Sequence, residues 1–254
     1  MKSKTSVADL LANVAIVLVR PKYPENIGAA ARSAQNMGIN QLLVIHNELP
    51  DQERMYKMAT CHARELIDGI RLYQNLADAL TEFSWVVGTT ARQGRQRRLI
   101  TSPENMVAGL LPKLNNNKIA LLFGPEDSGL TNEDLKFCNS VTTIPTADFS
   151  SLNLAQAVAI LCYEVYKGVR SSRGWKKISP KLASSYEFET TYGLIEEMLR
   201  CIGSLKETDY DHWMKNIRHF LGRVELKARD TKFLQLICRQ IIDHCSQRGK
   251  NKRR

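Results

Sequence analysis

The stretch from Lys118 to Tyr166 constrains this chain more than any other. Ile119 to Phe123 is a short apolar run that stops at Gly124-Pro125. A run so short and so uniformly apolar suits a strand buried on both faces of a parallel sheet. Gly124 and Pro125 then make a loop at the strand's carboxyl end, where open α/β sheets bind their ligands. Thr131, three residues before Asp134, reads as a helix N-cap with an acidic first turn. Val141 to Ile144 predicts a second strand, ended by Pro145. Ser150 and Ser151 stand where they would cap a long apolar helix from Leu152 to Tyr166. Two strand-loop-helix units of this kind bring Gly124, Glu126, Ile144 and Ser151 toward one edge of a sheet. Taken singly, each loop is also what an ordinary glycine turn or serine cap looks like.

The residues before this stretch repeat the same alternation. Val14 to Val19 predicts the first buried strand, and Arg20-Pro-Lys-Tyr-Pro-Glu the loop after it. Asn26 opens a helix, and Ile27 to Met37 is rich in alanine, a strong helix former. Gly38 ends it. Gly28, Ala29, Ala30 and Ala31 are small enough to let another backbone come close. Strands are expected at Gln41 to Ile45 and Ile70 to Tyr73, and helices at Asp51 to Leu66 and about Ala77 to Phe83. Trp85-Val-Val-Gly-Thr-Thr-Ala-Arg92 reads as a strand running into a polar loop. Arg92, Arg95, Arg97 and Arg98 follow, a set that suits phosphate contacts and equally a solvated charge run. Ser102-Pro103-Glu104 reads as a purely structural helix start. The first βα turn has no G-x-G-x-x-G, which argues against a dinucleotide-binding dehydrogenase.

Charge separates the chain into two parts. Residues 1–170 carry 18 Lys and Arg against 16 Asp and Glu, whereas residues 171–254 carry 18 against 10. A near-neutral domain followed by a basic one points to a polyanionic partner, with a merely solubilising surface as the alternative. The expected division is a near-neutral α/β domain at 1–168, a basic linker at 169–185, a helical extension at 186–246 and a basic disordered tail at 247–254. Helices are expected near Glu187–Leu205, Tyr210–Leu221 and Asp230–Cys245, where apolar residues recur at helical spacing. The six cysteines form no C-x-x-C pair and no zinc spacing with the five histidines, so reduced thiols and no metal are expected. No apolar run approaches the roughly 20 residues that span a bilayer. A cytoplasmic protein with no membrane partner is the expectation.

The combination of motifs is more specific than any one of them. Phe-Gly-Pro-Glu-Asp-Ser-Gly-Leu130, followed by Ile144-Pro and Ser-Ser-Leu-Asn-Leu-Ala-Gln-Ala-Val158, resembles motifs 2 and 3 of the SpoU-class SPOUT RNA 2′-O-methyltransferases. Asn26-Ile-Gly-Ala-Ala-Ala-Arg32 resembles their motif 1, and the resemblance covers roughly residues 13–168. The helical extension, with Ile217-Arg-His-Phe-Leu-Gly-Arg223, is more loosely similar to that of the TrmJ-type subgroup, which acts on tRNA. The resemblance implies an α/β, parallel-sheet SPOUT fold with a deep C-terminal trefoil knot, plus a small all-α C-terminal extension. It also implies a homodimer that binds S-adenosyl-L-methionine and methylates a ribose in tRNA, in a pyrimidine nucleotide of the anticodon loop. Ribosomal RNA or another tRNA site is the alternative substrate, and a non-catalytic RNA-binding factor is a further one.

By the same resemblance, Thr89, Thr90, Ala91, Gly124, Ile144, Ser150, Ser151 and Leu152 hold the cofactor. Arg32 is the catalytic arginine, Ser151, Asn153 and Asn26 complete the hydrogen-bond set, and Glu126 orients it. Arg92, Arg95, Arg97 and Arg98 would contact RNA. A guanidinium keeps its proton at any ordinary pH, so Arg32 is expected to act as an electrostatic clamp rather than as a base. The homodimer is expected across Asn26–Arg32 and the Leu152–Tyr166 helix, with Ala29, Ala30, Ala155 and Ala159 allowing close packing.

Overall fold

The computed structural model describes residues 5–91, 100–148, 151–171, 179–203, 205 and 207–251. Among them, seven strands form one parallel sheet: β1 (Val14–Val19), β2 (Leu42–Ile45), β3 (Arg71–Tyr73), β4 (Trp85–Thr89), β5 (Ile100–Thr101), β6 (Ile119–Phe123) and β7 (Ser140–Thr142). Their order across the sheet is β3-β2-β1-β6-β4-β7-β5. The helices are α1 (Val7–Leu11), α2 (Pro24–Asn36), α3 (Gln52–Ala59), α4 (Arg64–Asp68), α5 (Leu76–Leu80), α6 (Pro103–Leu110), α7 (Asn132–Leu135), α8 (Leu154–Ser171), α9 (Ser185–Ile202), α10 (Tyr210–Leu221) and α11 (Ala228–Asn251).

Every residue of β1, β2 and β6 is buried. Successive side chains point to opposite faces, so one strand feeds two cores. Ile16, Leu18, Leu121 and Phe123 pack with α2 and α8 on one face. Val17, Val19, Leu43 and Leu122 pack with Leu76, Leu80 and Leu135 on the other. β1 and β6 lie in register, Leu18 beside Phe123, so the loops that follow them start side by side.

Local departures from the sequence reading have tertiary causes. α2 begins at Pro24, two residues before Asn26, with proline in its first turn and no side-chain cap. A Cβ on Gly28 would stand 2.0 Å from the Met55 carbonyl oxygen, so α2 and α3 meet backbone to backbone. The single helix expected at Asp51–Leu66 breaks at Thr60, which takes a left-handed φ of 63°. A 3-10 turn at Cys61–Ala63 and α4 follow it. Apolar periodicity does not register a left-handed threonine.

The helix expected from Leu152 begins at Leu154. Asn153 caps it: its carbonyl accepts from Ala157 at 3.0 Å and its Oδ1 from the Ala155 amide at 2.9 Å. Ser151 therefore stands two residues before the cap rather than acting as one.

The chain is pinned to the core at residues 179–184, within the stretch expected as linker. Asn117 Oδ1 accepts from the Leu182 amide at 2.7 Å, and its Nδ2 donates to the Pro180 carbonyl at 3.1 Å. Residues 172–178 lie outside the described residues. α9, α10 and α11 then form a small bundle around Ala183, Phe188, Tyr192 and Met214. α11 runs to Asn251, into the stretch expected to be disordered. Lys113, nearly buried, ties the bundle to the sheet domain through an ion pair with Glu225 at 2.7 Å.

Candidate active site

Three loops at the carboxyl edge of the sheet enclose a cavity of about 300 Å³. β4 runs into Thr89, Thr90 and Ala91. β6 runs into Gly124 and the turn to Leu130. The chain after β7 brings Ile144, and the approach to α8 brings Ser151 and Leu152. All of these residues line the cavity, so the structure gathers in one place seven of the eight positions assigned to cofactor binding. Ser150 lies outside the described residues, as do Arg92, Arg95, Arg97 and Arg98.

The loop after β6 owes its shape to glycine. A Cβ on Gly124 would stand 2.2 Å from backbone atoms of Gly129 and Leu130. Gly129 has a left-handed φ of 66° and donates its amide to the Pro125 carbonyl at 2.8 Å. The strand ends are knitted together as well. Thr89 Oγ1 donates to the Leu122 carbonyl at 2.9 Å, and the Thr90 amide to the Thr142 carbonyl at 3.1 Å.

A second cavity of about 450 Å³ opens beside the first. Tyr23, Glu25, Asn26, Arg54 and Asn153 line it, and Glu126, Ser151 and Leu152 line both cavities. Glu126 is the hub of the boundary. Its carboxylate accepts from the Lys22 amide at 2.9 Å, the Tyr23 amide at 3.4 Å and Asn26 Nδ2 at 2.7 Å. Asn26 Oδ1 accepts in turn from Asn153 Nδ2 at 2.9 Å. A continuous chain of hydrogen bonds thus runs from Glu126 through Asn26 and Asn153 to the start of α8. The Ser151 hydroxyl, relieved of capping, makes no hydrogen bond among the described residues.

Two ion pairs stiffen the rim. Lys22 pairs with Asp127, which holds the Asp127 carboxyl below its ordinary value. Arg54 donates two bonds to Glu25, at 2.8 and 3.1 Å, and these hold the Glu25 carboxyl below its ordinary value. Sequence reading missed Lys22, Tyr23, Glu25 and Arg54 as site residues. The first three lie in the loop and helix start at the carboxyl end of β1, so the rule that singled out Gly124 could have found them. Arg54 carries no such signal, because it reaches the site through the packing of α3 against α2, closest at Gly28.

Arg32 stands apart. It is exposed, lines neither cavity and makes no ion pair among the described residues. Six helical residues separate it from Asn26, which puts the two about 120° apart around the α2 axis. Along α2, Asn26 lines the second cavity and Arg32 does not.

Neither cavity contains histidine or cysteine. No cluster of metal-ligating side chains occurs among the described residues. Burial pushes the Cys162 thiol up to about 12, so it is an inert core group. The arrangement is suited to holding two ligands in contact across a fixed set of amides, a hydroxyl and a carboxylate.

Residues 13–163 match the model of the SpoU rRNA Methylase family. The chain is 32% identical over 239 residues to the tRNA (cytidine/uridine/adenosine-2′-O-)-methyltransferase TrmJ of Pseudomonas aeruginosa, covering 89% of this chain and 92% of that protein. It is 37% identical over 154 residues to the uncharacterized tRNA/rRNA methyltransferase LasT of Escherichia coli, covering 60% of this chain and 67% of that one. Among solved structures, TrmJ from Zymomonas mobilis superposes with a TM-score of 0.77 at 28% identity, covering 89% of this chain and 98% of that chain. With its family motifs folded around one pair of cavities, this chain belongs to the SpoU methylase family.

Proposed function

We propose that this chain transfers the methyl group of S-adenosylmethionine to a ribose 2′-hydroxyl of tRNA. The observation that carries this reading is the boundary shared by the two cavities. Glu126, Ser151 and Leu152 line both, so a methyl donor in the smaller and a nucleotide in the larger would touch there. The similarity to TrmJ proteins extends through the helical extension, which favours tRNA over ribosomal RNA.

The smaller cavity fits the cofactor by its chemistry. Leu130, Ile144, Leu152 and Ala157 offer apolar walls to an adenine, and Glu126 offers a carboxylate to a cation. Its volume lies at the low end of the roughly 300–1,000 Å³ typical of small-ligand sites. When bound, S-adenosylmethionine supplies an activated methyl and a neutral thioether leaving group, so the protein's task is alignment. Glu126 holds Asn26, and Asn26 holds Asn153. The remaining amide hydrogens and the Ser151 hydroxyl are then placed to fix the ribose.

Arg32 acts as a guanidinium that clamps a phosphate and stabilises charge developing on the 2′-oxygen, whose proton passes to solvent water as the methyl is transferred. Because it lines neither cavity of its own chain, a homodimer must supply it from a second copy. α2 and α8 remain the proposed interface, supported by exposed Tyr23, Ile160 and Tyr163. Ala30 and Ala155, expected at that interface, are buried within the chain and serve intrachain packing. The trefoil knot belongs to the same reading. It is supported by the chain's return from edge strand β5 to insert β6 between β1 and β4.

The test is nucleoside mass spectrometry of tRNA incubated with the protein and S-adenosylmethionine. A 2′-O-methylated nucleoside is expected. Base methylation alone, or none, would contradict the reading.

A further inference from the structure

A cavity of about 770 Å³ opens on the other half of the sheet's carboxyl edge, beyond β1, β2 and β3. None of the proposed reacting groups lines it. Its walls include Arg20 after β1, His46 and Asn47 after β2, Gln74 after β3, Phe137 after α7, and Arg218 from α10. Arg218 brings the helical extension to its wall, so the cavity lies where the two parts of the chain meet. We propose that it holds an unpaired nucleotide of the RNA substrate, at a position other than the methylated one. This rests on the proposed action on tRNA.

Three observations carry it. The first is the wall chemistry. Asn47 and Gln74 are exposed and make no side-chain hydrogen bond among the described residues, and each amide offers a donor and an acceptor that match a base edge. Phe137 offers an aromatic face for stacking. The cations are already matched: Arg20 with Asp134 at 2.5 Å, Lys136 with Glu133 at 2.5 Å and Arg218 with Glu189 at 2.6 Å. Glu133 and Asp134 also line the cavity. A bare phosphate is therefore disfavoured inside, while an uncharged base suits the site.

The second observation is Arg218 itself. Two bonds to Glu189, at 2.6 and 2.7 Å, fix its guanidinium 4.3 Å above the Tyr192 ring. The basic extension thus presents a rigid planar group to this cavity rather than a mobile one.

The third is the backbone of Arg20. Its φ of 51° lies in the left-handed region, a sparsely populated conformation for a non-glycine residue that clusters at functional sites. Arg20 opens the loop whose next residues, Lys22 and Tyr23, donate their amides to Glu126. One short loop therefore contributes a wall residue to this cavity and another to the proposed methylation site.

The test uses the full chain and a tRNA transcript, with two variants. Asn47→Ala combined with Gln74→Ala removes the two amides. Ala77→Trp, at an exposed position on the cavity wall, fills the space without removing a contact. Each should weaken tRNA binding roughly tenfold, about the worth of one good amide-to-base pair. KM for tRNA should rise in step, with kcat at saturating tRNA and affinity for S-adenosylmethionine unchanged. Binding is read by fluorescence anisotropy apart from turnover, so a chain that binds tRNA but fails to methylate it would refute the proposed function and leave the cavity tested. Unchanged tRNA affinity in both variants overturns the proposal. A shift in oligomeric state with unchanged tRNA affinity also overturns it, and assigns the cleft to contact between protein copies.

Discussion

The sheet domain and the helical extension are built by different rules. In the first, β1, β2 and β6 are buried on both faces and feed two apolar cores. Ligand-facing residues sit on loops at one edge, held by glycine turns and amide bonds. In the second, a small cluster of Ala183, Phe188, Tyr192 and Met214 is fringed by half-buried side chains. Trp213, Phe220, Phe233 and Leu236 remain largely exposed, and charge is in excess. A deeply buried sheet can hold a few groups within the tight tolerance that group transfer needs. A small basic bundle cannot, but it can add affinity for a polyanion. The difference motivates a proposed division of labour: chemistry at the sheet edge, RNA affinity largely from the extension.

The sharpest way to break that division is at Arg32. Arg32→Ala should lower methyl transfer by about 10²–10³-fold, the scale of losing one charge-stabilising donor, and leave S-adenosylmethionine binding nearly intact by calorimetry. Arg32→Lys should fail too, because an ammonium lacks the planar fork. Near-normal turnover in either would remove Arg32 from the site. A mixture of Arg32→Ala chains with chains inactivated at Asn153 should regain activity if the arginine comes from a second copy.

Gly124→Ala should act on the cofactor cavity rather than on RNA. The added Cβ would meet backbone 2.2 Å away, so the turn must open, at a cost of about 1–3 kcal/mol typical of overpacking. Thermal denaturation and cofactor calorimetry should both show the loss, with tRNA affinity preserved. Unaltered cofactor affinity would mean that the loop does not form the cavity wall.

A smaller effect sharpens the picture of the scaffold. Burial opposes ionisation of Asp134, yet the Arg20 guanidinium and the Thr131 amide and hydroxyl outweigh it and hold the carboxyl below its ordinary value. A depressed carboxyl contributes stability above its unfolded value of about 3.9 and loses it as pH falls through the lower folded value. Asp134→Asn should therefore cost about 1 kcal/mol at neutral pH, the scale of a lost cap. The difference from the unaltered chain should shrink below about pH 4. A pH-independent difference would show that the carboxylate charge does not matter.

The sequence was most legible where local chemistry and tertiary context agree. Ile119–Phe123 reads as a buried strand because nothing polar interrupts it, and Gly124 reads as a turn because the chain folds onto its own backbone there. Thr131 is the N-cap that the sequence suggests, and Asp134 completes a capping box with it. Legibility failed where a distant partner decides. Asn153 rather than Ser151 caps α8, an assignment that its bond to Asn26 helps fix. The chain at 179–184 looks like linker but is clasped by Asn117, more than sixty residues earlier. Arg54 reaches the site because Gly28 lets α3 come close. The orientation of Arg32 follows from helix geometry, which the motif alone does not convey.

The most direct test of the division of labour is methylation kinetics against salt, for the full chain and for one shortened to end at Ser184. The cut keeps the segment clasped by Asn117 and removes α9, α10 and α11. Phosphate neutralisation releases counterions, so log affinity should fall with log salt by about 0.7–0.9 per phosphate contacted. The account predicts a steep slope for the full chain. For the shortened one it predicts a flatter slope, a higher KM for tRNA and a largely retained kcat. Equal slopes and equal KM values for the two chains would contradict it.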